Sequence, residues 1–184
     1  SYTILSDSEF ENGASSSLKS GITLYPRRGY TRAETVDEEH GKSLLVGIDN
    51  ADLSYSEADI PYADIPINGY TGWLSFDCDV YVSAKENSGK KTMIFRTENA
   101  KETNIIRFKD PQMLVAGSVN LDYDEKKWYH LTAKFNTVTC KAEIFIDYMP
   151  VLQYSFAAEP SAAKLVRLYG PADDTVQCFT AIDN

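Results

Sequence analysis

The chain has 184 residues and carries 18 basic against 27 acidic side chains, a net charge of −9, and a field of that sign argues against a non-specific grip on nucleic acid or an anionic membrane. Hydrophobic residues make up 43%, with 12 tyrosines and eight phenylalanines, which is too apolar for a disordered chain and rich in the types that favour strands. One sizeable core fits a chain of this length, so a single β-sandwich domain over 1–184 is expected.

In chain order, the polar run 13–20 reads as a mobile loop and the first strand is expected at 43–48. Residues 49–65, with Pro61 inside and Pro66 just beyond, read as a long excursion, and loops of that length are uncommon unless functional. Further strands are expected at 73–83, 91–97, 104–108, 113–119, 128–135, 139–147, 151–156, 165–169 and 176–182. The clearest period lies in 126–156, where Tyr129, Leu131, Ala133 and Phe135 alternate with Trp128, His130, Thr132 and Lys134, and the alternation resumes at Cys140, Ala142, Ile144 and Ile146. This is the two-residue repeat of half-buried strands in an antiparallel meander. Turn chemistry separates the segments at Asn68-Gly69, Asn87-Ser88-Gly89, Asp110-Pro111, Ala116-Gly117 and Gly170-Pro171. Ten short strands in succession, with no competing amphipathic helix, point to a sandwich.

Three cysteines cannot all pair within one chain. Cys78, Cys140 and Cys178 each fall on the apolar parity of a strand, and are expected to be buried thiols acting as small hydrophobes, with a single disulfide as the alternative. No apolar run approaches the roughly 18 residues of a membrane span, and no secretory leader is evident. The chain opens at Ser1 without methionine and stops abruptly at Asn184, so a module of a larger protein is expected.

Four sets of residues carry a family resemblance: Glu9-Phe10-Glu11-Asn12-Gly13; His40-Gly41-Lys42-Ser43-Leu44; Lys127-Trp128-Tyr129-His130-Leu131 followed by Ile144-Phe145-Ile146-Asp147; and Ala181-Ile182-Asp183-Asn184. Together, in this order over almost the whole chain, they resemble the concanavalin A-like jelly roll, a superfamily that includes laminin-G-like domains and bacterial carbohydrate-binding modules. One departure stands out: the Asp-Gly that such domains often show after this strand is Asp147-Tyr148 here. The resemblance implies an all-β antiparallel sandwich of jelly-roll type and a structural calcium ion held by Glu11 and Asp183, with Asp7 a third candidate. The chemistry is sound, because calcium takes six to eight oxygens. The resemblance also implies a structural role for His130, while His40, just before a glycine, reads as a turn residue.

Sugar binding needs an aromatic surface for the apolar face of a pyranose and fixed polar groups for its hydroxyls. With Leu74, Phe76, Cys78, Val80 and Val82 facing inward, strand 73–83 presents Trp73, Ser75, Asp77, Asp79, Tyr81 and Ser83 on its other face. The candidate carbohydrate-binding residues are therefore Trp73, Asp77, Asp79 and Tyr81, joined by Arg96 and Arg107. Arg96, Arg107 and Arg167 lie in apolar strands where a guanidinium must point outward or be paired. They would bind uronic acids or be satisfied by Asp77 and Asp79. Tyr25, Tyr30, Tyr55, Tyr62 and Tyr70 cluster early and would rim a cleft.

Catalysis is not expected. Jelly-roll glycosidases place Glu-x-Asp-x-x-Glu on one strand, whereas this chain offers only Asp77-Cys78-Asp79, and phosphate loops, metal-spaced cysteines and nucleophile elbows are lacking. The expected function is a non-catalytic carbohydrate-binding module of an extracellular or cell-surface bacterial protein, with a polysaccharide or oligosaccharide as partner and covalently linked neighbouring domains. The alternatives are a laminin-G-like adhesion or protein-interaction domain and a structural spacer of a surface or phage-tail protein.

Overall fold

The computed structural model describes residues 21–49, 56–67, 69–85, 91–171 and 178–183. Within them the strands are, in chain order, β1 (Thr23–Tyr25), β2 (Tyr30–Asp37), β3 (Gly41–Ile48), β4 (Tyr62–Pro66), β5 (Trp73–Val82), β6 (Met93–Thr97), β7 (Glu102–Arg107), β8 (Gln112–Val115), β9 (Val119–Asp122), β10 (Tyr129–Asn136), β11 (Lys141–Ile146), β12 (Met149–Ser155), β13 (Ala163–Tyr169) and β14 (Cys178–Asp183). A single 3-10 turn at Glu57–Asp59 is the one helical element among the described residues. None of them forms a helix long and apolar enough to cross a membrane.

Two seven-stranded sheets form, in the orders β1-β4-β13-β6-β7-β8-β9 and β12-β11-β10-β5-β14-β3-β2, and every pairing is antiparallel. This is the antiparallel sandwich that the alternation implies, of the jelly-roll type that the resemblance implies. The period-two rule sets the layers: Leu74, Cys78, Val80 and Val82 of β5 and Leu131, Ala133 and Phe135 of β10 turn inward to meet Met93 and Phe95 of β6 and Val166 and Leu168 of β13. Phe95 and Phe135 stack across the gap with centroids 4.1 Å apart, and Phe156 meets both rings edge-on at 5.6 and 5.7 Å. At the flank, the Tyr154 hydroxyl of β12 and the Thr103 hydroxyl of β7 are hydrogen-bonded at 2.9 Å.

The β10–β11 connection illustrates local control. Asn136 Oδ1 accepts hydrogen bonds from the backbone N–H groups of Val138 and Thr139 at 2.9 and 3.0 Å, and Cys140 closes the loop at φ 57°. An Asx turn ending in a left-handed residue returns the chain antiparallel.

Some expectations need correction. Residues 113–119 are not one strand: Ala116 and Gly117, at φ 49° and 72°, turn the chain between β8 and β9. The stretch 49–65 is not wholly an excursion, since it holds most of β4, where Ala63 and Ile65 are buried. Pro66 ends that strand rather than preventing it, as proline is tolerated at strand ends. β1 and β2 also went unpredicted, because β1 is three residues long and β2 carries few apolar side chains. All three cysteines are buried and remain thiols, and burial pushes the Cys78 thiol pKa up. The run 13–20 and the Asn87-Ser88-Gly89 turn lie outside the described residues.

Candidate functional site

The outer face of the second sheet centres on β5. Trp73, Ser75 and Asp77 are exposed along it, and Asp79 and Tyr81 are half-buried, the parity that the sequence implies. Register places His130 of β10 opposite Asp79, Thr132 opposite Asp77 and Asn136 opposite Trp73. On the other flank Ala181 of β14 lies opposite Tyr81, and Asp183 opposite Asp79. Paired residues in an antiparallel ladder project to the same side.

A polar chain runs through this face. The Thr132 and Ser75 hydroxyls donate to the two Asp77 oxygens at 2.6 and 2.9 Å. His130 Nδ1 lies 2.8 Å from Asp79 Oδ1, and its Nε2 is 3.4 Å from Asp77 Oδ1. His40 Nε2 lies 3.1 Å from Asp79 Oδ2, and its Nδ1 is 3.0 Å from Asp37 Oδ1. Asp37 also accepts from the His40 backbone N–H at 2.8 Å and from Trp128 Nε1 at 2.7 Å. A carboxylate, an imidazole, a second carboxylate, a second imidazole and a third carboxylate thus follow one another across three strands and a turn.

Electrostatics follow from that geometry. Burial pulls the His40 pKa down, but the hydrogen bonds and charges of Asp37 and Asp79 outweigh it and the net shift is upward. Both ring nitrogens face carboxylates, and only the protonated imidazole can donate to both. Asp37 shifts downward: burial opposes ionisation, and the hydrogen bonds from His40 and Trp128 overcome it.

Aromatic rings frame the chain. His40 stacks on Trp128 at 4.0 Å, Tyr81 tilts against Trp128 at 5.1 Å, and Phe179 of β14 stacks on Tyr81 at 5.8 Å. At the opposite end of β5, Trp73 stands 49% exposed. Beyond β10, Tyr148 stacks on His130 at 4.4 Å.

The expected site residues do not all meet. Trp73, Asp77, Asp79 and Tyr81 share the outer face of β5, whereas Arg96 and Arg107 belong to β6 and β7 of the other sheet. Nor do the arginines pair with Asp77 and Asp79. Arg96 binds Glu102 across the β6–β7 ladder, and Arg167 forms a two-pronged pair with Asp64 at 2.6 and 3.0 Å. Arg107 has a buried Nε without a hydrogen-bond partner. The early tyrosines form no common rim: Tyr25, Tyr62 and Tyr169 cluster around Arg167 on the first sheet, while Tyr30 packs over Gly47 of the second. A Cβ on Gly47 would lie 2.6 Å from the Tyr30 ring, so only glycine admits this approach. Tyr70 packs against the core, and Tyr55 lies outside the described residues.

Of the calcium candidates, Glu11 and Asp7 lie outside the described residues, and Asp183 is 9% exposed. Among the described residues no group of three His, Cys, Asp or Glu side chains is arranged to hold a metal ion. Sequence reasoning passed over Asp37, Trp128, His40 and His130 as site residues. The usable signal was parity: Trp128 and His130 occupy the outward positions of a strand whose inward positions are all apolar.

No family model matches the sequence, and no curated protein does. Solved structures match in fold. The chain superposes on a sialidase with TM-score 0.61 at 16% identity, covering 89% of this chain but only 16% of that one. It superposes on the cellulose-induced protein Cip1 with TM-score 0.57 at 8% identity, covering 93% and 83% of the two chains, and on the family 7 alginate lyase AlgAT5 with TM-score 0.57 at 10% identity, covering 87% and 82%. The chain thus spans about a sixth of the sialidase and most of the other two. At these identities the likeness is one of fold.

Proposed function

We propose that this chain is a non-catalytic carbohydrate-binding module, part of an extracellular or cell-surface bacterial protein, that holds its covalently linked neighbours against a polysaccharide. The observation that carries this reading is the outer face of β5 and β10, where the exposed Trp73 and the half-buried Tyr81 share one strand with carboxylates already fixed by hydrogen bonds. A sugar asks for both, an apolar plate and oriented acceptors. Trp73 and Tyr81 are eight residues apart on one strand, roughly 26 Å at about 3.3 Å per residue, a span that suits an extended glycan rather than a single ring. Tethering makes an appended enzyme's encounter with that glycan effectively intramolecular.

The occupancy of the carboxylates supports the non-catalytic part. A glycosidase needs one carboxyl to donate a proton and another to attack or to activate water. Asp77 is taken up by Thr132 and Ser75, and Asp79 by His130 and His40. Arg96, Arg107 and Arg167 lie on the opposite sheet from His130, and Arg32, on the same sheet, is held by Glu34 and Asp49.

Binding to immobilised and soluble glycans tests the reading. Trp73→Ala is expected to weaken binding about tenfold with a smaller effect on melting temperature than loss of a core ring, because about half of Trp73 stands in solvent. Glycan binding unaffected by Trp73→Ala would remove β5 from the site, and binding to a protein ligand with no glycan signal would favour the adhesion reading. Calcium held by Glu11 and Asp183 is proposed as a structural ion. If so, millimolar chelator lowers the melting temperature and added calcium restores it, as linkage requires of a ligand that binds only the folded state. A chelator-insensitive melting curve rules it out.

A further inference from the structure

We infer that Tyr148 is the stacking platform of a subsite for a neutral pyranose ring. This rests on the carbohydrate-binding reading and specifies the class of sugar. Three independent observations carry it.

The first is backbone conformation. β11 and β12 join through the two-residue turn Asp147-Tyr148, with Ile146 paired to Met149, and both turn residues have positive φ, 49° and 65°. A two-residue hairpin of this kind favours glycine at the second position. An aromatic side chain there is strained, and such strain persists where the surroundings hold it and concentrates at functional positions.

The second is how the turn is held. Asp147 N donates to the His130 carbonyl at 2.7 Å, and Asp147 Oδ1 accepts from the His130 backbone N–H at 2.8 Å. These reciprocal bonds clamp the turn to β10. The Tyr148 ring then lies on the His130 imidazole, with centroids 4.4 Å apart and planes 13° from parallel. One face of the ring is supported while the residue remains 75% exposed, so the other face is open to solvent. The core gains nothing from this ring, because Tyr148 takes no part in the hydrophobic cluster.

The third is what surrounds the platform. His130 reaches Asp79 and Asp77, and Asp77 is itself fixed by Thr132 and Ser75. This network holds the imidazole, and with it the ring stacked on it, in one orientation. Asp77, Asp79 and Asp147 gather at this end of the face, the chain's net charge is −9, and the lysines of the same face, Lys134 and Lys141, lie toward its other end, opposite Ser75 and Asn136. An anionic sugar would meet like charge on this face, which selects against it.

The test titrates the full chain with a panel of neutral hexasaccharides (cellohexaose, mannohexaose and xylohexaose) and with an alginate hexamer by calorimetry. In parallel it records the melting temperatures of wild type and Tyr148→Gly. The expected result is binding to at least one neutral hexasaccharide but not to alginate, a loss of tenfold or more in Tyr148→Gly, and a melting temperature raised by about 2–4 °C as the positive-φ strain is relieved. Loss of affinity with gain of stability is a combination that a purely structural tyrosine cannot produce. A loss below tenfold on a glycan that wild type binds overturns the inference and leaves the carbohydrate reading standing. Binding to alginate alone overturns the neutral class, a lower melting temperature in Tyr148→Gly overturns the strain argument, and no binding to any glycan overturns both inference and reading.

Discussion

Replacing Phe135 by alanine is expected to destabilise the protein by about 3–5 kcal/mol, the range for removing a fully buried aromatic ring, and so to lower its melting temperature by roughly 6–20 °C for a chain of this size. Phe135 has no exposed surface and lies at the centre of a three-ring contact. It stacks on Phe95 of the opposite sheet and receives the edge of Phe156 from beyond β12. Truncation removes the ring's burial and leaves a cavity between two sheets whose backbones are each held by their own ladders, so collapse is limited. Urea denaturation should show a lower midpoint with an unchanged slope. A loss below about 1 kcal/mol would mean that the ring does not bridge the layers.

The second large effect is expected at Asp79. Its two oxygens serve His130 and His40, and Asp79→Ala leaves both imidazoles short of a partner. Hydrogen bonds to charged groups carry about 1.5–3 kcal/mol, and partial solvent screening at this face reduces the expectation to about 1–2 kcal/mol. The pH dependence is the sharper readout. His40, only 11% exposed, has a folded-state pKa above its ordinary value, so its contribution is complete below about pH 6.5, the unfolded value, and is lost as pH rises through the folded one. Asp37 shifts the other way; its contribution is present above about pH 4 and is lost as acid protonates it. Wild-type stability should therefore peak between these limits and decline on the alkaline side, and Asp79→Ala should flatten that decline. Urea midpoints from pH 5 to 9 decide it, and an alkaline slope unchanged by the substitution would separate His40 from Asp79.

The same residues explain how much was legible beforehand. Alternation along 128–135 and 73–83 announces inward and outward faces, because a strand's side chains have period two and one face must leave water. Sandwich architecture and the exposed parity of Trp73, Asp77, Asp79 and Tyr81 follow directly. Which sheet a strand joins does not follow, since that depends on pairings between distant segments such as β5 with β14. For that reason Arg96 and Arg107 were grouped with aspartates that lie on the other side of the protein. His40 was opaque for a related reason: it is 39 residues from Asp79 in the chain, and a turn histidine looks the same whether or not a carboxylate waits opposite. β4 was missed because Pro61 and Pro66 read as breakers, although they flank and end the strand.

A sandwich, unlike a closed barrel, leaves lateral margins, and each of the four formed by the described strands is blunted. β1 and β9 are three and four residues long. β12 contains Pro150, which has no N–H to offer a newcomer, opposite an irregularity at Ile144/Phe145. β2 has its own irregularity between Thr35 and Asp37 and carries Arg32 bound to Glu34 and Asp49. Short, charged or proline-bearing borders resist edge-to-edge annealing. The consequence concerns assembly: such borders disfavour growth by strand addition, so a pair of copies would have to meet through a sheet face or through loops rather than as one continuous sheet.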